Sequence, residues 1–230
     1  MDKTGENSKG RVEHFTLRQQ VAAILRKDIL RGRYLPGDRI VEAEIAGNLK
    51  ISRGPVREAI RQLEEEGLVT YSNNKGCSVT TLNPEDAWEI YLLRADLENL
   101  ALNLCEGDVG DANLAEMGAC IRRMEDAAAA DDLAEMVEQD TIFHGMISGA
   151  PRKHRLFRLW SSLNNTNYAI FLTVLSANIR PLSAMAGRHQ KLLDVLSSKN
   201  LEQGCQMIKE HYLSPGRDLL LGVSNAADRA

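Results

Sequence analysis

Apolar residues recur every three or four positions along most of this chain, which predicts amphipathic helices, and only one short stretch is β-prone. Three helices are predicted between Thr16 and Gly67, and Gly32 with the turn Pro36-Gly37 closes the first. We expect their apolar stripes to face one another in a small core. The stripes are Leu17, Val21, Ile24, Leu25 and Ile29 in the first helix, Ile45 and Leu49 in the second, and Val56, Ala59, Ile60 and Leu63 in the third.

A tight turn joins the second helix to the third, and a hairpin follows the third. Ser52 is placed as the N-cap of the third helix, and Pro55 falls in its first turn, where proline is tolerated. Residues 68–71 and 77–80 are β-prone and are separated by Asn-Asn-Lys-Gly, which predicts the hairpin. The order helix, turn, helix, hairpin is the outline of a winged helix-turn-helix, a fold that contacts duplex DNA.

The rest of the chain predicts helices with little β signal. Amphipathic segments lie near residues 84–106, 111–129, 132–148, 153–176, 182–198 and 200–221. Asn83 can cap the first of these and Pro84 can open it, which places a domain boundary here. Helices joined by short loops predict an antiparallel bundle. We therefore expect a mainly α chain with a flexible arm at 1–15, a winged helix-turn-helix at 16–80 and an all-α bundle at 84–223.

Charge is distributed unevenly between the two predicted domains. The chain is 43% hydrophobic and 26% charged, as is ordinary for a soluble globular protein, and its net charge is −4. Residues 1–80 carry 14 Lys and Arg against 11 Asp and Glu, or +3, whereas residues 81–230 carry 14 against 21, or −7. Basic character is thus concentrated where DNA would be contacted, although an imbalance of this size can also arise without a function.

The cysteines indicate a reducing compartment. Cys77, Cys105, Cys120 and Cys205 form no Cys-x-x-Cys pair and no framework spacing. We find no secretory signal peptide, and no apolar run approaches the roughly 18 residues that a membrane span requires. We expect free thiols, a cytoplasmic location and no membrane partner.

Three arginines share one face of the third helix. Arg53, Arg57 and Arg61 recur every four residues from its N-terminus, where a recognition helix meets bases and phosphates. The guanidinium fork can bridge two acceptors on guanine or bind a phosphate. Lys75 and Gly76 at the hairpin tip suit close approach to a phosphate or the minor groove. The alternative is a solvated face in which these arginines pair with Glu58, Glu64 and Glu65.

The histidines of the bundle suggest a metal site. His144 follows Asp140 by four residues, so both project from one helix face, and His189 and His211 lie on two later helices. One aspartate and three histidines can converge on a divalent ion in a bundle core. The alternative is that the Asp-x-x-x-His spacing is incidental and that these histidines are ordinary core or surface residues.

Polar residues elsewhere in the bundle are candidates to bind a small molecule. Arg94 on the first bundle helix can hold a carboxylate through a bidentate pair, unless it forms an ion pair with Glu98 or Asp96 of its own helix. Asn165 and Tyr168 lie three residues apart on the fourth bundle helix and can face a cavity, where they would bond ligand hydroxyls. A solvated helix face is the alternative.

The stretch from Leu17 to Val79 resembles the DNA-binding domain of GntR-family bacterial transcription regulators. The matching residues are Ile29-Leu30-Arg31-Gly32-Arg33, Pro36-Gly37, residues 42–46, Ser52-Arg53, Pro55-Val56-Arg57-Glu58-Ala59, and Leu63 with Glu66-Gly67-Leu68-Val69. The resemblance implies operator contacts by Ser52, Arg53, Arg57 and Gly76. Gly54 stands where many relatives have threonine, so one hydroxyl contact of the family is missing here.

Residues 86–220 are similar to the FCD ligand-binding domain of the FadR subfamily within that family. The matching residues are Arg94, Leu97, Glu98, Ala101, Asp140, Phe143, His144, His189, Leu192, Leu193, Val195 and His211. Such domains are bundles of six or seven helices that hold a metal through one aspartate and three histidines. The resemblance therefore implies metal binding by Asp140, His144, His189 and His211, with zinc first and nickel, manganese or iron as alternatives. The asparagine usual after the Asp–His helix is absent, and His14 and His154 fall outside the motif and are expected at the surface.

The residues and the resemblance together predict a DNA-binding transcription regulator, a repressor in the first instance, and no enzyme. It should bind a pseudo-palindromic operator as a homodimer, because one recognition helix contacts one half-site. A small carboxylate or sugar acid beside the metal should change operator affinity by favouring one arrangement of the bundles. Two alternatives stay open: a constitutive DNA-binding regulator with a purely structural metal, and a metal-dependent hydrolase, for which we find no convincing general base.

Overall fold

The fold, in a computed structural model that describes residues 16–72, 76–166 and 182–227, confirms the predicted class. Its elements are α1 (Leu17–Leu30), β1 (Arg39–Ile40), α2 (Glu42–Leu49), α3 (Arg53–Glu65), β2 (Val69–Ser72), β3 (Gly76–Val79), α4 (Pro84–Leu104), α5 (Asp111–Ala129), α6 (Leu133–Gly149), α7 (His154–Ser162), a 3-10 turn (Leu163–Thr166), α8 (Ser183–Ser197) and α9 (Leu201–Ala227). A helix-turn-helix with a wing is thus followed by a helical bundle.

Helices α1 to α3 enclose the N-terminal core. Thr16 caps α1 reciprocally: the Gln19 amide donates to its hydroxyl at 3.3 Å, and its own amide donates to the Gln19 side chain at 2.8 Å. The predicted stripe of α1 is wrong at Leu17 and Ile24, which are 44% and 43% exposed. Leu17 is the first residue of the helix, and the buried face of α1 consists of Val21, Ala22, Leu25 and Ile29, so it includes Ala22 and excludes Ile24.

The wing is part of a three-stranded antiparallel sheet in the order β1-β3-β2. The register pairs Val69 with Val79 and Ser72 with Gly76, so the predicted hairpin is confirmed. The short strand β1, which pairs Arg39 with Ser78, was not predicted, because two residues are too few to show an alternating pattern. Lys75 lies outside the described residues.

The C-terminal helices form a bundle in which α4 packs on α9, and α5 packs on α6 and α8. Asn83 caps α4 by accepting from the Asp86 amide at 2.7 Å, and Pro84 occupies its first turn, as predicted. The predicted helix at 153–176 is confirmed from His154 to Ser162 and is wrong at Leu163–Thr166, where a 3-10 turn follows α7. Asparagine favours such irregular backbone, and the Asn164 side chain bonds to Arg94 instead of continuing a regular helix.

The two domains share an apolar contact. Leu133 and Val137, at the start of α6, are buried in the same cluster as the core of α1 to α3, and Leu182 packs against both this cluster and the bundle core. The helix that begins against the DNA-binding fold therefore continues into the centre of the bundle.

Two further sequence expectations can be compared with the structure. All four cysteines are free thiols, as predicted. Within the described ranges, no helix combines the length and the apolar character that crossing a membrane requires.

Candidate metal centre and nucleic-acid interface

The N-terminal end of α3 presents a polar, basic face. Val56, Ala59, Ile60 and Leu63 turn into the core, which leaves the opposite face in solvent. Ser52 occupies the N-cap position with extended backbone, but its side chain makes no capping hydrogen bond within the described structure. Its hydroxyl is therefore available for another acceptor, such as a phosphate. The exposed residues of this face are Ser52, Arg53, Gly54, Arg57 and Arg61.

Arg57 is held by the preceding helix. Its guanidinium lies 3.2 Å from a carboxylate oxygen of Glu42 in α2, and the hydroxyl of Tyr71 in the wing donates to the other oxygen at 3.2 Å. The hydrogen bond and the charge of Glu42 raise the pKa of Arg57, so its positive charge is secure. Sequence reasoning missed Glu42, because this partner comes from another helix. Among the ion pairs of the described residues, local pairing on α3 is seen for Arg61, which lies 3.1 Å from Glu58.

Gly76 marks the start of the returning wing strand. Its φ of +76° is a conformation that L side chains rarely adopt, so glycine is required by the backbone alone. A Cβ placed there would lie 3.6 Å from the guanidinium of Arg39. The wing thus brings a bare backbone position and an arginine side chain together.

Three helices bring the predicted metal ligands together in the bundle interior. His144 of α6, His189 of α8 and His211 of α9 are buried, and their donor atoms all lie within 4.8 Å of one another. The Nε2 atoms of His144 and His211 are 3.2 Å apart, and Oδ1 of Asp140 lies 3.1 Å from Nε2 of His189 and 3.8 Å from Nε2 of His144. Ligands about 2.1 Å from a first-row cation are separated by about 3.0–3.4 Å. The 3.2 Å between His144 and His211 and the 3.1 Å between His189 and Asp140 match that separation, whereas Asp140 and His144 lie farther apart at 3.8 Å.

The hydrogen bonds on the far side of the rings support this interpretation. Nδ1 of His189 lies 2.9 Å from the carbonyl oxygen of Met185, which can only accept, so Nδ1 carries the proton. A neutral His189 then directs the lone pair of Nε2 at the Asp140 carboxylate, 3.1 Å away. Two acceptors at that distance repel each other unless a second proton or a cation lies between them. The donor set therefore fits a divalent metal.

The Asp140 carboxyl is held in its charged form. Burial by itself would raise its pKa, but the contact with His189 and the electrostatic interactions with His144 and Arg94 outweigh burial and lower the pKa to about 2. An ionised carboxylate is the form that binds a metal.

Glu98 of α4 is a buried carboxylate beside this cluster. Its Oε2 accepts from Nδ1 of His144 at 2.9 Å, and its Oε1 accepts from Nε1 of Trp160 at 2.9 Å and from the hydroxyl of Tyr212 at 2.5 Å. Burial, followed by the charge of Glu98, raises the pKa of Tyr212 well above its ordinary value, so the phenol remains a donor. The sequence signal was an acidic residue in the middle of the buried face of α4 (Ala87, Tyr91, Ala95 and Leu102).

Arg94 lies one turn before Glu98 and is also buried. Its guanidinium donates to Asn164 at 2.5 Å and lies 5.5 Å from the Trp160 ring and 5.9 Å from the Tyr212 ring. Its Nε is buried with no hydrogen-bond partner in the described structure. In the described structure Arg94 therefore bonds to Asn164, and the alternative of an ion pair with Glu98 or Asp96 of its own helix is not observed. The side chain of Asn165 and all of Tyr168 lie outside the described residues, and His154 is exposed.

Two family models match the chain. The model of bacterial regulatory proteins of the gntR family matches residues 17–79, and the FCD domain model matches residues 89–214. The first range covers the helix-turn-helix and its wing, and the second covers the histidine cluster, Glu98 and Arg94.

Individual relatives agree with these matches. An uncharacterised HTH-type transcriptional regulator, YdhC of Bacillus subtilis, is 27% identical over 192 residues, 82% of this chain and 84% of the relative. The probable D-xylose utilization operon transcriptional repressor of Paenarthrobacter nicotinovorans is 29% identical over 214 residues, 93% of this chain and 89% of the relative. A solved putative GntR regulator from Rhodococcus is 26% identical, with a TM-score of 0.67 over 88% of this chain and 97% of that one.

Proposed function

Because the chain belongs to the GntR family of bacterial regulatory proteins and carries an FCD domain, we propose that its operator affinity is controlled by a small carboxylate or sugar acid bound beside a metal. It is a DNA-binding transcription regulator, and its family and relatives are regulators, not enzymes. We propose repression as its mode and the cytoplasm as its location. The observation that carries the effector site is the buried cluster of three histidines, with Asp140 against His189, in the bundle that also holds the incompletely bonded Arg94.

The exposed face of α3 is the proposed contact with operator DNA. Arg53, Arg57 and Arg61 can bind base edges or phosphates there, and Ser52 offers a hydroxyl at the helix N-terminus. The wing would bring Gly76, with Lys75 at its tip, close to the backbone or the minor groove. Exposed ion pairs such as Arg57–Glu42 are weak, so a phosphate can compete for the guanidinium.

A divalent metal is the proposed cofactor of the bundle. Asp140, His144, His189 and His211 would hold it, and imidazole with carboxylate suits zinc first, with nickel, manganese or iron as alternatives. When bound, the metal supplies a Lewis-acidic centre whose remaining positions can accept ligand oxygens. The charged Asp140 and the fixed Nδ1 protons of His144 and His189 support this assignment.

Arg94 is the proposed anchor of the effector carboxylate. A buried cation held between two aromatic rings and bonded to one asparagine retains donors for a bidentate partner. A carboxylate placed there would supply the partner that Nε lacks. Asn165 and Tyr168 are proposed to bond ligand hydroxyls, and the P. nicotinovorans relative, a probable repressor of a D-xylose utilization operon, favours a carbohydrate-derived ligand.

A homodimer is the proposed functional form. One recognition helix contacts one half-site, so a pseudo-palindromic operator requires two copies related by a two-fold axis. Helix α4 carries Leu93, Leu100 and Leu104 on one face, and these are 45%, 50% and 47% exposed. An apolar stripe of this kind at the surface is typical of a protein interface, and we assign it to a second copy of this chain.

A thermal-shift panel of small carboxylates and sugar acids, on zinc-loaded and chelator-stripped protein, tests the proposal. A ligand at about 100 times its dissociation constant should stabilise the native state by roughly 2.7 kcal/mol, a readily measured shift. The proposal expects a compound that stabilises the zinc-loaded protein alone. If zinc stabilises the protein and no carboxylate adds to it, a constitutive regulator with a structural metal replaces this proposal.

A further inference from the structure

Glu98 accepts more hydrogen bonds than a side chain that only fills space in the core would require. The side chain is completely buried, and its described ion-pair contact is with His144, at 2.9 Å, which is a charged pair only when the imidazole is doubly protonated. Three donors instead converge on its two oxygens: His144, Trp160 and Tyr212. Burying a carboxylate is costly unless its oxygens are satisfied, so three separate elements have been arranged to stabilise this one.

The bond to His144 has a chemical consequence. A carboxylate oxygen can only accept, so Nδ1 of His144 carries the proton and Nε2 has its lone pair free. That lone pair points towards the histidine cluster, 3.2 Å from Nε2 of His211 and 3.8 Å from Asp140. We propose that Glu98 is a positioning residue that fixes the tautomer and the ring orientation of His144 for metal binding, and this rests on the proposed metal site.

The other two bonds connect the same carboxylate to the effector anchor. Trp160 and Tyr212 donate to Oε1, and their rings are the two that flank the guanidinium of Arg94. Glu98 thus joins the ligand His144 to the aromatic walls around Arg94. A shift of either wall is communicated to the metal ligand through a single residue.

The test is the variant Glu98→Gln, with Glu138→Gln as the matched control. Glu138 lies on the exposed side of α6, two residues from Asp140, so the control removes the same charge near the site without touching His144. Zinc affinity, measured by competition with a fluorescent chelator, should fall about 10–100-fold in the first variant and little in the control. The nitrogen chemical shifts of His144 should show Nδ1 protonated in wild type and a changed tautomer in the variant.

The possible outcomes distinguish the positioning role of Glu98 from the proposed metal site itself. Unchanged zinc affinity in a folded Glu98→Gln variant, or equal losses in both variants, would overturn the positioning role. A lowered melting temperature of the stripped protein with unchanged zinc affinity would also overturn it, since packing alone would then explain the residue. Failure of wild type to bind zinc would instead remove the metal site itself.

A second inference comes from the apolar contact between the domains. Leu133 and Val137 are 4% and 1% exposed and belong to the core that includes Val21 and Ile29 of α1. Leu182, immediately before α8, packs against this core and against the bundle core. Helices α6 and α8 are thus the two bundle helices that reach the DNA-binding fold through these contacts.

The spacing between these contacts and the metal ligands is the same on both helices. Asp140 follows Leu133, His144 follows Val137 and His189 follows Leu182, each by seven residues. Seven residues are about two turns, or roughly 10 Å, and return a side chain to the same helix face. Asp140 and His189 meet at 3.1 Å across the two helices. We infer that a bound metal holds α6 and α8 in a fixed arrangement, and that the two helices, moving as a rigid unit, transmit this metal-bound arrangement to α1.

Hydrogen exchange of the full chain, zinc-loaded against chelator-stripped, tests this inference. Zinc should slow exchange in α6 and α8 and also in α1. In the double variant Leu133→Ala, Leu182→Ala, the slowing in α6 and α8 should remain while that in α1 is lost. Ile147→Val is the control, because Ile147 lies seven residues after Asp140 and packs only in the bundle core.

If zinc slowed hydrogen exchange in α1 of the double variant as much as in wild type, the coupling would be overturned. It would also be overturned if zinc slowed exchange in α6 and α8 of wild type but left exchange in α1 unchanged. If zinc did not slow hydrogen exchange in α6 or α8 of wild type, the metal would not hold these two helices together and the inference would be wrong.

Discussion

The guanidinium of Arg57 lies 3.2 Å from the carboxylate of Glu42, and the hydroxyl of Tyr71 donates to that same carboxylate. Helix α3, helix α2 and the wing are therefore connected through one acidic residue, Glu42. The arrangement holds Arg57 extended on the exposed face in the absence of DNA. It also places a weak, replaceable partner where a phosphate would bind.

Removing Arg57 should weaken operator binding. Arg57→Ala loses a charged fork that contacts bases or phosphate, so affinity for a duplex selected from a random pool should fall about ten-fold or more at fixed salt. Fluorescence anisotropy measures this, and zinc content should be unchanged. Arg123→Ala is the control, since Arg123 makes a similar exposed pair with Glu116 at 3.2 Å in the bundle. Equal affinities of Arg57→Ala and wild type would show that α3 is not the recognition helix.

Removing His189 should empty the metal site. His189→Ala deletes the ligand that joins α8 to Asp140, so zinc retained after gel filtration should drop from about one per chain to nearly none. Elemental analysis gives the stoichiometry, and the exposed His154→Ala is the control. Stoichiometric zinc in His189→Ala would rule out the four-ligand site proposed here.

Replacing Arg94 by lysine should abolish the response to a carboxylate while metal binding persists. The charge is kept, but the planar fork and its contact with the two rings are lost. The thermal shift caused by a carboxylate on zinc-loaded protein should shrink by most of its wild-type value. Arg122→Lys, at an exposed position of α5, should behave as wild type. An undiminished shift in Arg94→Lys would place the carboxylate elsewhere.

A charge in the α4 stripe should disrupt the dimer. Leu100→Glu introduces a carboxylate into an apolar surface that would be desolvated on association, which is costly for an unpaired charge. Light scattering after gel filtration should report a monomer, with helical content retained by circular dichroism. Leu35→Glu changes a leucine that is 58% exposed in the other domain and should leave the dimer intact. A dimeric Leu100→Glu variant would move the interface to another surface.

The sequence predicted the elements whose signals are local. The stripe of α3, the cap at Asn83 and the hairpin follow from spacing and turn chemistry, and all appear in the structure. The end of α7 at Ser162 was not predicted, and just beyond it Asn164 bonds to Arg94, a residue far away in sequence. Leu17 and Ile24 were assigned to the core but are exposed, because the spacing of apolar residues does not show how far around a helix the buried face extends.

The site shows the same division. Asp140 and His144 share a helix face, which spacing alone indicates. His189 and His211 could be offered as histidines of later helices, and the resemblance to a known family strengthened the set of four. Glu98 and Glu42 were missed in their present roles, since their partners come from other helices. Contacts made by tertiary packing leave no periodic trace in a single sequence.

The most direct test of the account is the affinity of wild-type, zinc-loaded protein for its selected duplex, with and without a carboxylate that stabilises it. Coupling between two sites typically changes affinity about 5–150-fold, and we predict a change in that range. The same carboxylate should leave the duplex affinity of His189→Ala unaltered. If wild type binds the carboxylate but holds DNA with the same affinity in both conditions, the bundle does not control the recognition helix and the proposed function is wrong.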